Sequence, residues 1–102
     1  MDVKQIFDEM PRRYKAGSAD KPAVYYFSID NHKYTVKVGD SCVVEAGKTV
    51  DNADVILKTD EKIFVNMVVK GKLPGPIDIA RGKIKTNDPA GLQKLKQMFD
   101  FG

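Results

Sequence analysis

His32 is the only histidine in the chain and Cys42 the only cysteine, so acid–base and thiol chemistry have one candidate residue each. Neither is well placed for it. His32 falls between Asn31 and Lys33 in a predicted hairpin turn, a poor position for a general base, and no serine or cysteine nucleophile is tied to it. Cys42 sits beside Val43 and Val44 on a predicted strand, where a free thiol is expected to pack rather than react. Asp51 and Asp54 lack the further oxygen ligands and glycine spacing of a calcium loop, and no zinc cluster is present. Asp100-Phe101-Gly102 matches a kinase tripeptide by letters alone, and glycines 71, 75 and 82 have no Walker spacing. The expectation is a protein that is not an enzyme, with no catalytic residue, no metal and no cofactor.

Charge and apolar surface carry more. Lys70, Lys72, Arg81, Lys83 and Lys85 surround one acid, Asp78. They read either as an anion-attracting face or as a solvated face kept for solubility. The cluster has no aromatic platform on which bases would stack, so nucleic acid is not an expected partner. From Asp54 onward, Val55 to Leu57, Ile63 to Val69, Ile77 to Ala80, Ile84 and Leu92 to Phe99 supply more apolar faces than one small sheet covers.

The Ile63 to Val69 run shows this best, since on a helix its apolar side chains sweep roughly 240° at about 100° per residue. Three readings stand: a helix packed on several sides by its own protein, a helix between a sheet and a guest, or a buried strand. Thr59 as N-cap, Asp60 and Glu61 in the first turn and Gly71 past the end favour a helix.

The remaining elements follow from spacing. Asp2 with Gln5 three residues on, then Val3, Ile6, Phe7, Met10 and Tyr14 at helical intervals, predict an amphipathic helix that Pro11 ends or kinks near Met10. Strands are expected over Ala23 to Ile29, Lys33 to Val38 and Ser41 to Ala46, an antiparallel meander. Tyr25, Phe27 and Ile29 share one face, as do Tyr34, Val36 and Val38; Lys33, Thr35 and Lys37 point the other way, which leaves one side of the sheet wet. A fourth strand spans Ala53 to Lys58 and a fifth Gly82 to Thr86. After Leu73-Pro74-Gly75-Pro76 there is room for a short helix at Ile77 to Ala80. Asp88 and Pro89 start a last helix that runs to about Asp100, with Leu92, Leu95 and Phe99 on one stripe, Lys94 facing away and Phe101 off it, either disordered or docked elsewhere.

The 102 residues are expected to form a single domain, and 42% hydrophobic with 30% charged residues is ordinary for a soluble one. Seventeen Lys and Arg against 14 Asp and Glu give a mild net charge of +3. One cysteine excludes an internal disulfide, and no signal peptide or membrane span is apparent, so a cytoplasmic location is expected.

Taken in order, Ala53-Asp54-Val55-Ile56-Leu57, a helix ending at Lys70-Gly71-Lys72-Leu73 before Pro76, Ala80-Arg81-Gly82-Lys83-Ile84-Lys85 and Leu92-Gln93-Lys94-Leu95 resemble the sterol carrier protein 2 (SCP2) domain over nearly the whole chain. The individual motifs are degenerate; their order and spacing carry the resemblance. One departure is Asn87-Asp88-Pro89, where the family often has glycine; Asn tolerates a left-handed turn there. The resemblance implies an α+β fold, a five-stranded, mostly antiparallel sheet with helices on one face, and a hydrophobic tunnel between them. It also implies a stand-alone module that binds and transfers fatty acids, acyl-CoA, phospholipids or sterol-like lipids.

The expected tunnel lining is Phe27, Ile29, Tyr34, Val36, Val55 and Leu57 from the strands, Ile84, and Phe64, Met67, Val68, Leu92, Leu95, Met98 and Phe99 from the helices. Gln93 flanks the last apolar stripe as a head-group contact, and Arg81, Lys83 and Lys85 are candidates for the phosphates of an acyl-CoA or for an anionic membrane. The rival expectation is an accessory domain that docks on a lipid-metabolising enzyme or forms a homodimer through apolar surface that includes Val69 and Phe101.

Overall fold

A computed structural model describes residues 1–72, 77 and 80–101. Asp2 caps the first helix, α1 (Val3–Arg13), by a reciprocal capping box: its carboxylate accepts the Gln5 N–H at 2.8 Å, and Gln5 Oε1 accepts the Asp2 N–H at 2.9 Å. Pro11 does not end this helix at Met10. It forfeits one main-chain N–H, and the last turn is held instead by Arg13, which donates to Glu9 at 3.0 Å and to the Asp100 carbonyl at 3.1 Å.

Strands β1 (Ala23–Ile29), β2 (His32–Val38) and β3 (Cys42–Ala46) form the expected meander, with Phe27 opposite Tyr34 and Val36 opposite Val44. Asp30 makes the first turn at φ 51°, a left-handed conformation that aspartate tolerates. The chain then crosses to the other side of β1, where β4 (Val55–Thr59) pairs parallel to it. The two-residue β5 (Lys85–Thr86) pairs antiparallel to β4, giving a five-stranded sheet ordered β3-β2-β1-β4-β5 in which three of the four pairings are antiparallel.

The Ile63 to Val69 run is helical through Val68, in α2 (Glu61–Val68), with Val69 as its C-cap. Asp60 rather than Thr59 is its N-cap, accepting the Ile63 N–H at 2.8 Å, because Thr59 still belongs to β4 and donates its hydroxyl to the Lys83 carbonyl at 2.9 Å. Gly71 at φ 67° then turns the chain so that the Lys72 N–H bonds the Asn66 carbonyl at 3.0 Å. Of the short helix expected at 77–80, Ile77 and Ala80 are helical; 73–76, 78 and 79 lie outside the described residues. The last helix, α3 (Pro89–Met98), starts at Asp88, which accepts the Gly91 N–H at 3.1 Å.

Helices α1, α2 and α3 contribute to one core on one face of the sheet, through Val3, Ile6, Phe7 and Met10, Phe64 and Met67, and Leu92, Leu95 and Met98. Phe101 docks into the same core: its ring packs 6.3 Å from Phe99, with the Arg13 guanidinium 5.1 Å above it. It is therefore not an exposed docking residue. The opposite face of the sheet is not wet throughout. Thr35 is 0% exposed, because the loop after β3 folds back over it: its hydroxyl donates to the Gly47 carbonyl at 2.8 Å and accepts the Thr49 N–H at 3.1 Å. Its cross-strand neighbour Tyr26 is buried as well, with Lys48 Nζ 5.6 Å from its ring centre.

Candidate functional site

Between sheet and helices, where a tunnel was expected, aromatic side chains of the described residues pack against one another. Phe7 of α1 lies 4.1 Å from Tyr34, 5.3 Å from Phe64 and 5.4 Å from Phe27, centroid to centroid. Phe7, Phe27 and Phe64 are all 0% exposed. Of the other residues expected to line a tunnel, Ile29, Val36, Val55, Leu57, Met67, Ile84, Leu92, Leu95, Met98 and Phe99 are buried in this one core, while Tyr34 and Val68 pack half-buried against it. Gln93 is exposed on α3. Arg81, Lys83 and Lys85 are exposed as well.

Open space occurs at the rim of the sheet. A cavity of about 280 Å³ lies between the loop Ser18 to Pro22, the first residues of β1 and β4, and α3. Val55 and Met98 border it; its other apolar walls are Ala19, Pro22, Ala23, Tyr25, Val38 and Gly91. Asp20, Lys21, Asp54, Asp88, Lys94 and Gln97 complete the lining. Lys94, exposed and off the apolar stripe as expected, borders the cavity together with Gln97, while Gln93 is not among its lining residues.

Local sequence explains how this site is held. Gly91 lets α3 approach β4 closely: a Cβ there would stand 2.7 Å from Val55 Cγ2. Asp54 accepts the Val24 N–H at 2.8 Å, tying the entry of β4 to β1. Asn87 is not left-handed; its side-chain amide accepts the Ile56 N–H at 2.7 Å and donates to the Asp54 carbonyl at 3.2 Å, extending the pairing of β4 where β5 has stopped. Small residues make the hollow, and they give no periodic apolar signal.

Tyr25 sits on the cavity floor and donates its hydroxyl to the Gly91 carbonyl at 3.0 Å. Burial, with the Asp88 and Asp54 charges adding to it, pushes its phenol up to about 12. The neutral phenol is the form the fold favours, so its contribution is fully present below pH 10, the ordinary value, and is lost as pH rises toward 12. The unfolding free energy is therefore expected to fall by about 2 kcal/mol across that window in denaturant titrations, and Tyr25→Phe to flatten the fall. An equal slope in the variant would assign the loss to other groups, such as the buried Cys42, whose thiol burial pushes up to about 11.

His32 Nε2 lies 2.8 Å from Glu61 Oε1, which ties the β1–β2 turn to the start of α2. His32 is at one end of β2, and Cys42 pairs with Val38 at the other, so roughly 20 Å of strand separates them. They cannot act as a thiolate–imidazole pair. Among the described residues no group of three His, Cys, Asp or Glu side chains is placed to hold a metal, and no helix is long and apolar enough to cross a membrane.

No protein-family model and no curated protein sequence matches the chain. Solved structures do. The stereoselective inverting sec-alkylsulfatase Pisa1 from Pseudomonas sp. overlays 95% of this chain at 15% identity and a TM-score of 0.69. Its S233Y F250G double mutant overlays 100% at 14% identity and 0.71. The chain spans only 16–17% of the sulfatase's length. The UbiJ-SCP2 ubiquinone synthesis protein overlays 91% of this chain and 84% of its own, at 10% identity and a TM-score of 0.61. The fold is SCP2-like. In this SCP2-like domain the rim cavity lies where α3 crosses the ends of the parallel pair β1 and β4.

Proposed function

We propose that this SCP2-like domain binds a hydrophobic small molecule, of which a lipid acyl chain is the best-fitting class, in the cavity between the Ser18 to Pro22 loop and α3. The observation that carries the reading is that cavity: about 280 Å³, lined by apolar and charged side chains together. This is near the lower end of small-molecule sites, which run from about 300 to 1,000 Å³. Each methylene moved out of water contributes roughly 0.8 kcal/mol, so about eight of them supply on the order of 6 kcal/mol before ordering costs are subtracted. Binding of this kind needs no directional contact and discriminates weakly among fatty acids, acyl-CoA esters, phospholipids and sterol-like lipids. The protein would carry such a ligand unchanged.

Organic extraction of freshly purified protein followed by mass spectrometry tests this directly, with an apolar molecule as the expected finding. Ala19→Leu, which fills the cavity from the loop side, is expected to weaken binding of a fluorescent fatty-acid analogue by roughly tenfold while the fold persists. Wild-type protein that is empty and a variant that binds the probe equally well would overturn the reading.

A second reading is favoured by the sulfatase overlay. There the same fold is a sixth of an enzyme that acts on an alkyl sulfate ester, and by analogy this domain would present an alkyl chain to a separate catalytic unit. Co-purification of a lipid-metabolising enzyme together with an empty cavity would favour this second role.

A further inference from the structure

We propose that the outer face of the sheet carries a second site, separate from the apolar cavity, that binds a phosphate group. Lys85 of β5, Lys58 of β4 and Ser28 of β1 stand in one cross-strand row, since Lys85 pairs with Lys58 and Lys58 with Ser28; Lys33 of β2 continues the row beyond Ser28. Buried Leu57 next to Lys58, and Phe27 and Ile29 on either side of Ser28, point into the core, so the row faces outward. Lys83 joins Lys58, Lys85 and Ser28 around an open depression of about 300 Å³.

Two lysines directly opposite each other on adjacent strands repel, and that costs the sheet stability. Among the described residues no carboxylate forms an ion pair with Lys58, Lys83 or Lys85. The one acid on the depression, Asp30, is already engaged: its Oδ2 accepts the Glu61 N–H at 3.0 Å. Three ammonium groups against one carboxylate leave the hollow cationic, with the Ser28 hydroxyl as a neutral donor among them. An anion seated there turns the Lys58–Lys85 repulsion into attraction, and a doubly charged phosphate with several acceptor oxygens suits three ammonium donors around one depression better than a carboxylate does. The apolar cavity borders the opposite ends of the same strands, at Ala23, Tyr25 and Val55, and on the inner side. The two sites are therefore independent, and either can fail without the other.

The test uses the full chain and inorganic phosphate at millimolar concentration, with chloride at matched ionic strength as control. Phosphate is expected to raise the melting temperature of wild type, and to shift the amide resonances of Ser28, Lys58 and Lys85 in an NMR titration. The double variant Lys58→Gln/Lys85→Gln is expected to bind phosphate roughly tenfold more weakly or worse, while melting at or above wild type in phosphate-free buffer. Equal phosphate responses in wild type and variant, an equal effect of chloride, or a variant that melts well below wild type would each overturn the site. Sedimentation with phosphatidylcholine vesicles, with and without phosphatidic acid, separates the sources of the phosphate. Wild type pelleting only with phosphatidic acid, and the variant not at all, assigns a lipid head group; phosphate binding without pelleting assigns a soluble phosphate ester.

Discussion

Phe7→Ala is expected to lower the melting temperature by about 15–25 °C. Phe7 is 0% exposed and touches the aromatic rings of the sheet and of α2 at once, so its removal leaves a hole that no one neighbour can collapse into. Phe to Ala in a core costs about 3–5 kcal/mol, a large share of the 5–15 kcal/mol that stabilises a domain of this size. Thermal melting followed by circular dichroism reads the shift. A loss below about 5 °C would mean that α1 does not fill the space between sheet and α2, and the tunnel expected there would have to be reconsidered.

The second large effect concerns how closely α3 lies on β4. Gly91→Val is expected to cost about 3 kcal/mol, because its first added carbon already falls 2.7 Å from Val55 Cγ2 and α3 must shift off the sheet to make room. That shift would also break the Tyr25 hydrogen bond to the Gly91 carbonyl. Val55→Ala should relieve part of it, so the double variant is expected to be more stable than the sum of the singles by about 1–2 kcal/mol in denaturant melts. Simple additivity would show that the contact is slack.

Much of the fold is legible in the sequence. Alternation in Tyr25, Phe27 and Ile29, the helical intervals from Val3 to Met10, and the caps at Asp2 and Asp88 locate the elements and their buried faces. What alternation cannot encode is which strand lies beside which: nothing in Val55 to Leu57 announces a parallel partner in Tyr25 to Phe27. The surplus of apolar faces after Asp54 was equally ambiguous, since a face records what must be covered and not what covers it. Part of the cover comes from far away in sequence, from Phe7. The cavity was the hardest feature to read, because Ala19, Ala23 and Gly91 define it by being small. Thr35 and Asn87 escaped for a related reason: their polar side chains bond main-chain groups of a loop and a strand remote in sequence, which no periodicity reports.

The joint between α1 and the residues after α3 bears on how the chain comes off the ribosome. The Asp100 N–H donates to the Arg13 carbonyl at 3.1 Å, the Lys15 N–H to the Met98 carbonyl at 2.8 Å, and Tyr14 bridges Phe99. Helix α1 is thus locked in place by residues made about ninety positions later. During vectorial synthesis α1 can form its turns early, but its end stays unlatched until 98–101 have cleared the exit tunnel. Until that moment Phe99 and Phe101 are missing from the core, and the nascent domain exposes the apolar surface that they later cover.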